Sequence, residues 1–264
     1  MAGHASEEAD RLLGVSVTTT HSPVPLDNLQ MVGKFVTLQG FTKSDLPSLW
    51  KNLALPEYES LFSFLPMSLP PDPNTLWETL QDLRIKRFII YAIKADLKKL
   101  SPSSDQSSSI PSQHFETIGL VAYLNIEPSN RAIEIGLVVY GPALQRTAAA
   151  TEAQYLMLRH VFGADENALW PPYRRVVWKC NSLNKASRRA AERLGFSYEG
   201  TFRKHLIVKG RSRDSDWLSI VDDEWPAVKA GLEAWLHETN FDKDGKQVRT
   251  LVDLRDAARE WSDV

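Results

Sequence analysis

The chain lacks the features that secreted and membrane proteins require. Its 264 residues contain one cysteine, Cys180, so an internal disulfide is excluded and a reducing compartment is expected. The longest apolar stretches, residues 88–93 and 135–144, are shorter than the ~18 residues of a membrane-spanning helix. The N-terminus is polar and acidic, without the basic and apolar parts of a secretory signal. We therefore predict a cytoplasmic protein without a membrane partner.

An excess of charge of either sign is also missing. The 31 Lys and Arg residues nearly balance the 33 Asp and Glu residues, which gives a net charge of −2. A nucleic-acid scaffold or a polybasic membrane binder would need a clear basic excess. The sequence therefore predicts no nucleic-acid partner, and its 43% hydrophobic and 24% charged residues are typical of a globular protein.

Familiar catalytic and cofactor motifs are absent as well. The sequence contains no G-x-G-x-x-G, Walker A, H-E-x-x-H or G-x-S-x-G motif. The six histidines are scattered without the spacing of metal ligands, so no metal is predicted. Cys180 ends an apolar stretch and is interpreted as a buried structural thiol.

Hydrophobic periodicity predicts an α/β fold. Seven segments rich in apolar, β-branched or aromatic residues are predicted strands, at residues 35–41, 88–95, 117–125, 132–140, 175–180, 198–209 and 215–221. Apolar residues at helical spacing predict helices near residues 42–50, 74–83, 147–161, 184–194 and 224–239, with a weaker helical pattern at 250–261. Because hairpins alternate with βαβ units, the sheet is expected to be mixed.

One main domain is predicted over residues 31–239. Residues 1–30 are interpreted as an N-terminal arm and residues 240–264 as a C-terminal extension, which could pack back onto the domain or mediate dimerisation. A serine-rich segment at 100–114 has too few apolar residues to pack, so it is interpreted as a flexible insertion within a hairpin.

The strongest candidate for ligand binding is the passage from Glu134 to Ala153. A strand ends there, a short loop follows and an amphipathic helix begins. Amides at a helix start, together with the helix dipole, bind phosphate or pyrophosphate. Three alanines at 148–150 would let a ligand approach the backbone. The alternative is an ordinary alanine-rich helix packed on a sheet.

A second passage, residues 181–200, predicts a short capped helix. Asn184 suits its N-cap, Ser187 falls in its first turn and Gly195 suits its end. Ala186, Ala190 and Leu194 are predicted to form its buried face.

These passages together resemble the GNAT superfamily of acyl-CoA-dependent N-acetyltransferases, over about residues 33–236. Within the superfamily the chain is most similar to the RimJ/RimL group, whose bacterial members acetylate protein N-termini. The matching pieces include Gln145-Arg-Thr-Ala-Ala-Ala150 at the family's Q/R-x-x-G-x-G/A loop, followed by Thr151-Glu152-Ala153. The others are Asn184-x-x-Ser187, Leu194-Gly195-Phe196, Glu199-Gly200-Thr-Phe-Arg203, and Gly210 with Asp214, ahead of Ser219-Ile-Val221 and Asp223-Glu224-Trp225. Ala148 stands where the family loop has a glycine, a departure that bears on cofactor affinity.

The resemblance implies a mixed, mostly antiparallel seven-stranded sheet with flanking helices. Its central parallel strands, residues 132–140 and 175–180, would splay apart to hold acetyl-CoA as cosubstrate. The implied cofactor contacts are the strand backbone at Leu137, Val138 and Val139, the pyrophosphate loop of Gln145, Arg146, Thr147, Ala148, Ala149 and Ala150, and the side chain of Asn184.

The resemblance also implies two catalytic residues. Glu134 stands where the family often places its base, and the alternative is a solvent-facing strand carboxylate. Many members protonate the leaving thiolate with a tyrosine, but that position here is Ala191. Ser187 is therefore the candidate acid or hydrogen-bond donor, and the alternative is an ordinary serine of a helix cap.

Three aromatic residues are candidates for the wall of the acceptor pocket. They are Tyr140, Phe64 and Trp77, for which core packing is the alternative.

The implied function is transfer of an acetyl group from acetyl-CoA to a primary amine, by direct attack within a ternary complex. The amine could belong to a small molecule or to a protein N-terminus. A different class remains open, a catalytically degenerate module that binds acyl-CoA without turnover, which Ala148 and the missing tyrosine would favour. A purely structural α/β domain is the third interpretation, and a homodimer is left open.

Overall fold

The computed structural model describes residues 14–100, 115–163, 168–243 and 245–262, and its centre is an eight-stranded sheet. The sheet order is β1-β2-β3-β4-β5-β6-β8-β7, and β5 and β6 form the parallel pair among otherwise antiparallel neighbours. The strands are β1 Gln30–Val32, β2 Thr37–Gly40, β3 Ile89–Asp96, β4 Phe115–Glu127, β5 Ala132–Tyr140, β6 Arg175–Asn181, β7 Ser197–Val208 and β8 Arg211–Val221.

Helices cover both faces of this sheet. They are α1 Leu46–Leu53, α2 Pro73–Ile85, the single turn α3 Leu97–Leu100, α4 Ala148–Val161, α5 Lys185–Leu194, α6 Trp225–Leu236 and α7 Leu251–Ser262. Buried residues of α1 and α2 form one hydrophobic cluster with one side of the sheet, and those of α4, α5 and α6 form another with the opposite side. We call these sides the α1 face and the α4 face. None of the described helices is long and apolar enough to cross a lipid bilayer.

The predicted mixed class and the antiparallel majority are confirmed, but the sheet has eight strands where seven were predicted. The additional strand, β1, has three residues, of which only Met31 is buried. A strand this short contains too few residues to show an alternating pattern. It also begins at Gln30, the last residue of the predicted arm.

The chain just before β1 lies on the domain. The Tyr91 hydroxyl donates a hydrogen bond of 2.6 Å to the carbonyl of Leu26, and Arg84 pairs with Asp27 at 2.7 Å. A Cβ atom at Gly40 would come within 2.0 Å of the Asp27 carbonyl oxygen, so glycine permits this close approach.

Parts of three predicted segments lie outside the described residues. They are residues 1–13 of the predicted arm, residues 101–114 of the serine-rich insertion, and residues 244, 263 and 264 of the C-terminal extension.

The described part of the C-terminal extension packs back onto the domain through α7. Leu251 is buried in the cluster on the α4 face. Arg255 donates a hydrogen bond of 3.3 Å from Nη1 to the carbonyl of Glu192 at the end of α5. Where α7 crosses α6, a Cβ atom at Gly231 would lie only 2.8 Å from Cα of Arg255. Glycine at 231 thus sets the distance between the two helices.

Gly231→Val is expected to lower the free energy of unfolding by about 1–3 kcal/mol, because the added side chain overlaps the α7 backbone. Urea denaturation followed by circular dichroism measures the change. Gly200→Val is the matched control, since a Cβ atom at Gly200 meets no atom within 4 Å. Equal stability of the two variants would contradict the close packing of α7 on α6.

Candidate active site

The central parallel strands splay apart, as predicted. β5 and β6 are paired at three positions, Ala132 with Arg175, Ile133 with Val176 and Glu134 with Val177. Beyond Glu134, β5 continues beside β4, and beyond Val177, β6 continues beside β8. A wedge-shaped gap, which we call the groove, therefore opens between residues 135–140 and residues 178–181.

A β-bulge in β5 lies beside the groove. Gly136 pairs with Ala122 and Val139 pairs with Leu120, so Leu137 and Val138 together oppose one residue of β4. Leu137 has a φ of +48°, in the left-handed region. A bulge bends its strand and increases the local twist, which turns β5 away from β6. The predicted pantetheine-binding residues, Leu137, Val138 and Val139, thus form the bulged wall of the groove.

The loop after β5 leads into a capped helix start at the wide end of the groove. The Thr147 hydroxyl accepts a hydrogen bond of 3.1 Å from the amide of Ala150 and donates one of 2.6 Å to the carbonyl of Leu144. Gln145 donates from Nε2 to the carbonyl of Tyr140 at 2.8 Å. These bonds hold the loop in its path, and none of the three involves the side chain of Arg146.

Four consecutive amides in this loop are available to a ligand. Within the described parts of the chain, no hydrogen bond is found for the backbone amides of Arg146, Thr147, Ala148 and Ala149. They lie at the positive end of the α4 dipole. Arg146 is left-handed, with a φ of +61°, whereas Ala148 begins α4 and is not among the residues with positive φ. The conformation at 148 therefore does not require glycine.

Helix α5 begins at its predicted cap but buries a different face. Asn184 accepts a hydrogen bond of 3.1 Å from the amide of Ser187. The helix ends at Gly195, whose φ of +110° suits glycine. The prediction that Ala186 and Ala190 face inward was wrong, since both are exposed. The inward face consists of Ser187, Ala191 and Leu194. The sequence did not show which side of this helix is buried, because alanine is small and occurs both in the core and at the surface.

The rotation of α5 places Ser187 against β6, beside the groove. Its Oγ accepts a hydrogen bond of 3.0 Å from the indole Nε1 of Trp178, the first residue of β6 beyond the paired region. The nearby Cys180 is buried, and its thiol is a neighbour of Ser187. Burial raises the pKa of Cys180 and the Asp216 carboxylate raises it further, whereas the hydrogen bond with Ser187 lowers it.

Glu134 lies at the last paired position and is 6% exposed, so it is a buried carboxylate and not a solvent-facing one. Its Oε2 accepts hydrogen bonds from Nδ2 of Asn125 at 2.6 Å and from Nζ of Lys179 at 2.8 Å. The Lys179 ammonium also lies 4.0 Å from the ring centroid of Trp217. No hydrogen bond to Oε1 is found among the described residues. One carboxylate oxygen is thus anchored and the other is left for a further partner.

A cavity of about 300 Å³ adjoins this carboxylate. Its walls include Asn125, Glu134, Lys179 and Trp217. Sequence reasoning missed Asn125, Lys179 and Trp217, although one signal was present. Lys179 is a charged residue in the interior of the strand Arg175–Asn181, between Trp178 and Cys180, and a buried charge requires a partner.

The two candidate catalytic residues lie on opposite faces of the sheet. Trp178 and Cys180 of β6 belong to the cluster on the α4 face, where Ser187 contacts them. Lys179 lies between them in sequence and contacts Glu134 on the α1 face. The groove lies between β5, which carries Glu134, and β6, against which Ser187 packs.

The three aromatic candidates lie in different surroundings. The Tyr140 hydroxyl contacts α4, where it donates to the carbonyl of Ala150 at 3.3 Å and accepts from Gln154, and burial raises its pKa. Trp77 packs against Phe41 with ring centroids 5.6 Å apart. Phe64 is 38% exposed. Contact of these residues with an acceptor stays a prediction.

Within the described residues, no group of three or more His, Cys, Asp or Glu side chains is arranged to hold a metal ion.

Comparison with known proteins identifies the family. A family model described as an acetyltransferase (GNAT) domain matches residues 36–197. A GCN5-related N-acetyltransferase from Brucella melitensis is 34% identical, with a TM-score of 0.77, and the alignment covers 90% of this chain and 98% of that one. Mycobacterium smegmatis RimJ in complex with CoA-disulfide has the same fold, at 20% identity and a TM-score of 0.57, over 75% of this chain and 88% of that one. A search of curated protein sequences finds no match.

Proposed function

The chain belongs to the family of GNAT acetyltransferase domains, and on this premise we propose that it transfers an acetyl group from acetyl-CoA to a primary amine. The amine belongs to a small molecule or to a protein N-terminus. One observation carries the proposal: a groove between β5 and β6 has a buried carboxylate at its apex on one face and an oriented serine beside it on the other.

The wide end of the groove fits the cosubstrate. The amides of residues 146–149 and the α4 dipole suit a diphosphate. The bulged segment 137–139 offers backbone groups to the pantetheine arm as an added strand would. RimJ from M. smegmatis, which shares this fold, was captured with CoA-disulfide. Acetyl-CoA supplies the activated acetyl group, and the chain's own residues position it.

On the α1 face, Glu134 is the proposed base. A primary amine with a pKa near 10 is mostly protonated at neutral pH, with roughly one molecule in a thousand free. Oε1 of Glu134 is oriented by the bonds that Asn125 and Lys179 make to Oε2, and it accepts the amine proton directly or through water. The cavity beside Glu134 admits the acceptor. The backbone amide of Val139 is the proposed donor to the oxyanion.

On the α4 face, Ser187 is the proposed donor to the leaving sulfur. It lies in the first turn of α5, where the helix dipole favours negative charge. Asn184 caps the amide of Ser187 through Oδ1, and its Nδ2 group is left to contact the cosubstrate.

A thiol-release assay tests the proposal. Purified protein is mixed with acetyl-CoA and a panel of small amines and peptides with free N-termini, and CoA binding is measured separately by calorimetry. Thiol release that depends on an amine supports the transferase. Binding of CoA without turnover on any amine favours the degenerate module, and no binding of CoA overturns both.

Ser187→Ala is expected to lower kcat by roughly one to three orders of magnitude, the usual scale for acid–base assistance. The dissociation constant for acetyl-CoA should change little, because the amides that hold the diphosphate are untouched. Steady-state kinetics on a validated amine measure kcat, and calorimetry measures the dissociation constant. Equal kcat for variant and parent would remove Ser187 from the mechanism.

A further inference from the structure

Ser187 is the single hydroxyl residue of α5, and its own amide is already capped by Asn184. A serine in the first turn of a helix often bonds to a nearby backbone group. Here the hydroxyl instead faces the sheet and contacts the indole of Trp178. Ala191, one turn further along the same inward face, is fully buried and offers no competing hydroxyl.

The indole nitrogen restricts what this hydroxyl can do. A tryptophan Nε1–H is a donor and never an acceptor, so the Oγ of Ser187 must accept the bond of 3.0 Å. The serine proton is then directed to a different atom. Trp178 is itself held in place, since it is 5% exposed and its ring packs edge-on against Phe196 at 5.6 Å between centroids.

A sulfur atom is a neighbour of Ser187 in the protein. Cys180 lies two residues beyond Trp178 on the same side of β6, and interaction with Ser187 lowers the pKa of its thiol against the raising effect of burial. The charged groups that act on this thiol are Asp216 and Arg213 of β8 and Arg188 of α5. The Ser187 hydroxyl, whose oxygen is held by Trp178, therefore lies in the neighbourhood of a sulfur atom next to the groove.

We propose that Trp178 is a positioning residue that orients the Ser187 hydroxyl so that it donates a hydrogen bond to the sulfur of the departing CoA. This inference rests on the proposed function. In the step it assists, the amine nitrogen forms a bond to the acetyl carbon, the carbon–sulfur bond breaks and its electron pair goes to sulfur. Glu134 takes the amine proton, and the thiolate, held by the Ser187 hydrogen bond, takes its own proton from water.

The first test is kinetic and uses Trp178→Phe, which keeps an aromatic ring and removes the N–H donor. We expect kcat to fall by about 3- to 10-fold, the scale of one neutral hydrogen bond, with KM for acetyl-CoA within twofold of the parent. The double variant with Ser187→Ala should be no slower than Ser187→Ala alone, since Trp178 acts through Ser187. Trp235→Phe is the matched control, because it removes the indole bond of 2.8 Å to Gln247 away from the groove.

The second test needs no turnover and uses the single cysteine as a reporter. The NMR signal of Cβ of Cys180 is titrated with pH in the parent and the three single variants. Both Ser187→Ala and Trp178→Phe should raise the pKa of Cys180, because the first removes and the second misplaces the hydroxyl that lowers this pKa, while Trp235→Phe should not change it.

Two results would overturn the role of Trp178. One is a Trp178→Phe variant with parental kcat and parental Cys180 titration. The other is a double variant in which the two losses of kcat multiply. Failure of the proposed function gives a different result, because the parent protein itself would then release no thiol with any amine. Melting curves establish that each variant is folded at the assay temperature.

Discussion

Glu134→Gln is expected to lower kcat by roughly 10²- to 10⁴-fold, the largest effect on activity that we expect from a single substitution. The amide keeps the size of the carboxylate and still accepts the hydrogen bond from Asn125, but it cannot take a proton from the acceptor amine. The rate–pH profile is the measurement. In the parent, the acidic limb of kcat/KM should combine protonation of the base with protonation of the amine, and in the variant only the contribution of the amine should remain.

The same substitution also breaks a buried ion pair, so its effect on folding has to be separated from its effect on catalysis. Lys179 would lose its partner at 2.8 Å, and an unpaired buried charge is costly. Thermal melting and CoA calorimetry show whether the variant is folded and binds cosubstrate. Glu78→Gln, at an exposed position of α2, is the control for the chemical change alone. A folded Glu134→Gln variant whose acidic limb is unchanged from that of the parent would exclude Glu134 as the base.

Local signals in the sequence were sufficient for the elements around the groove. The cap at Asn184, the glycine at 195 and the small residues at 148–150 each act within a few residues, so their effect can be inferred from neighbouring positions. The order of hairpins and βαβ units then limited the sheet to a mixed topology. These signals, with the family resemblance, were enough to place the splayed parallel strands.

The contacts that decide the chemistry could not be inferred in the same way. Glu134, Lys179 and Asn125 come from three strands, and their meeting depends on the registers of two strand pairs. A register shift of one residue would move a side chain to the other face. The prediction of which side of α5 is buried was wrong because it relied on two alanines, which occur both in the core and at the surface.

Glu152 shows most clearly what the motif alone did not explain. It lies in α4, just after the proposed pyrophosphate loop, and is 5% exposed. Its carboxylate accepts hydrogen bonds from three successive backbone amides just before β2, those of Lys34 at 2.7 Å, Phe35 at 2.6 Å and Val36 at 2.9 Å. A Cβ atom at Gly33 would lie 2.4 Å from this carboxylate, so glycine leaves the space that it occupies. One side chain of α4 thus fixes the helix to the start of the domain's second strand.

Glu152→Ala is therefore expected to lower the free energy of unfolding by about 3–5 kcal/mol, because a hydrogen bond to a charged acceptor contributes roughly 1.5–3 kcal/mol and the amides left behind are partly buried. Urea denaturation measures the loss, with Glu78→Ala on exposed α2 as the matched control. Gly33→Ala should be destabilising in the same assay, since its methyl group would displace the carboxylate from the amides. If both variants unfold at the parental urea concentration, the carboxylate does not hold α4 in place, and the position of this helix must depend on the packing of its buried face alone.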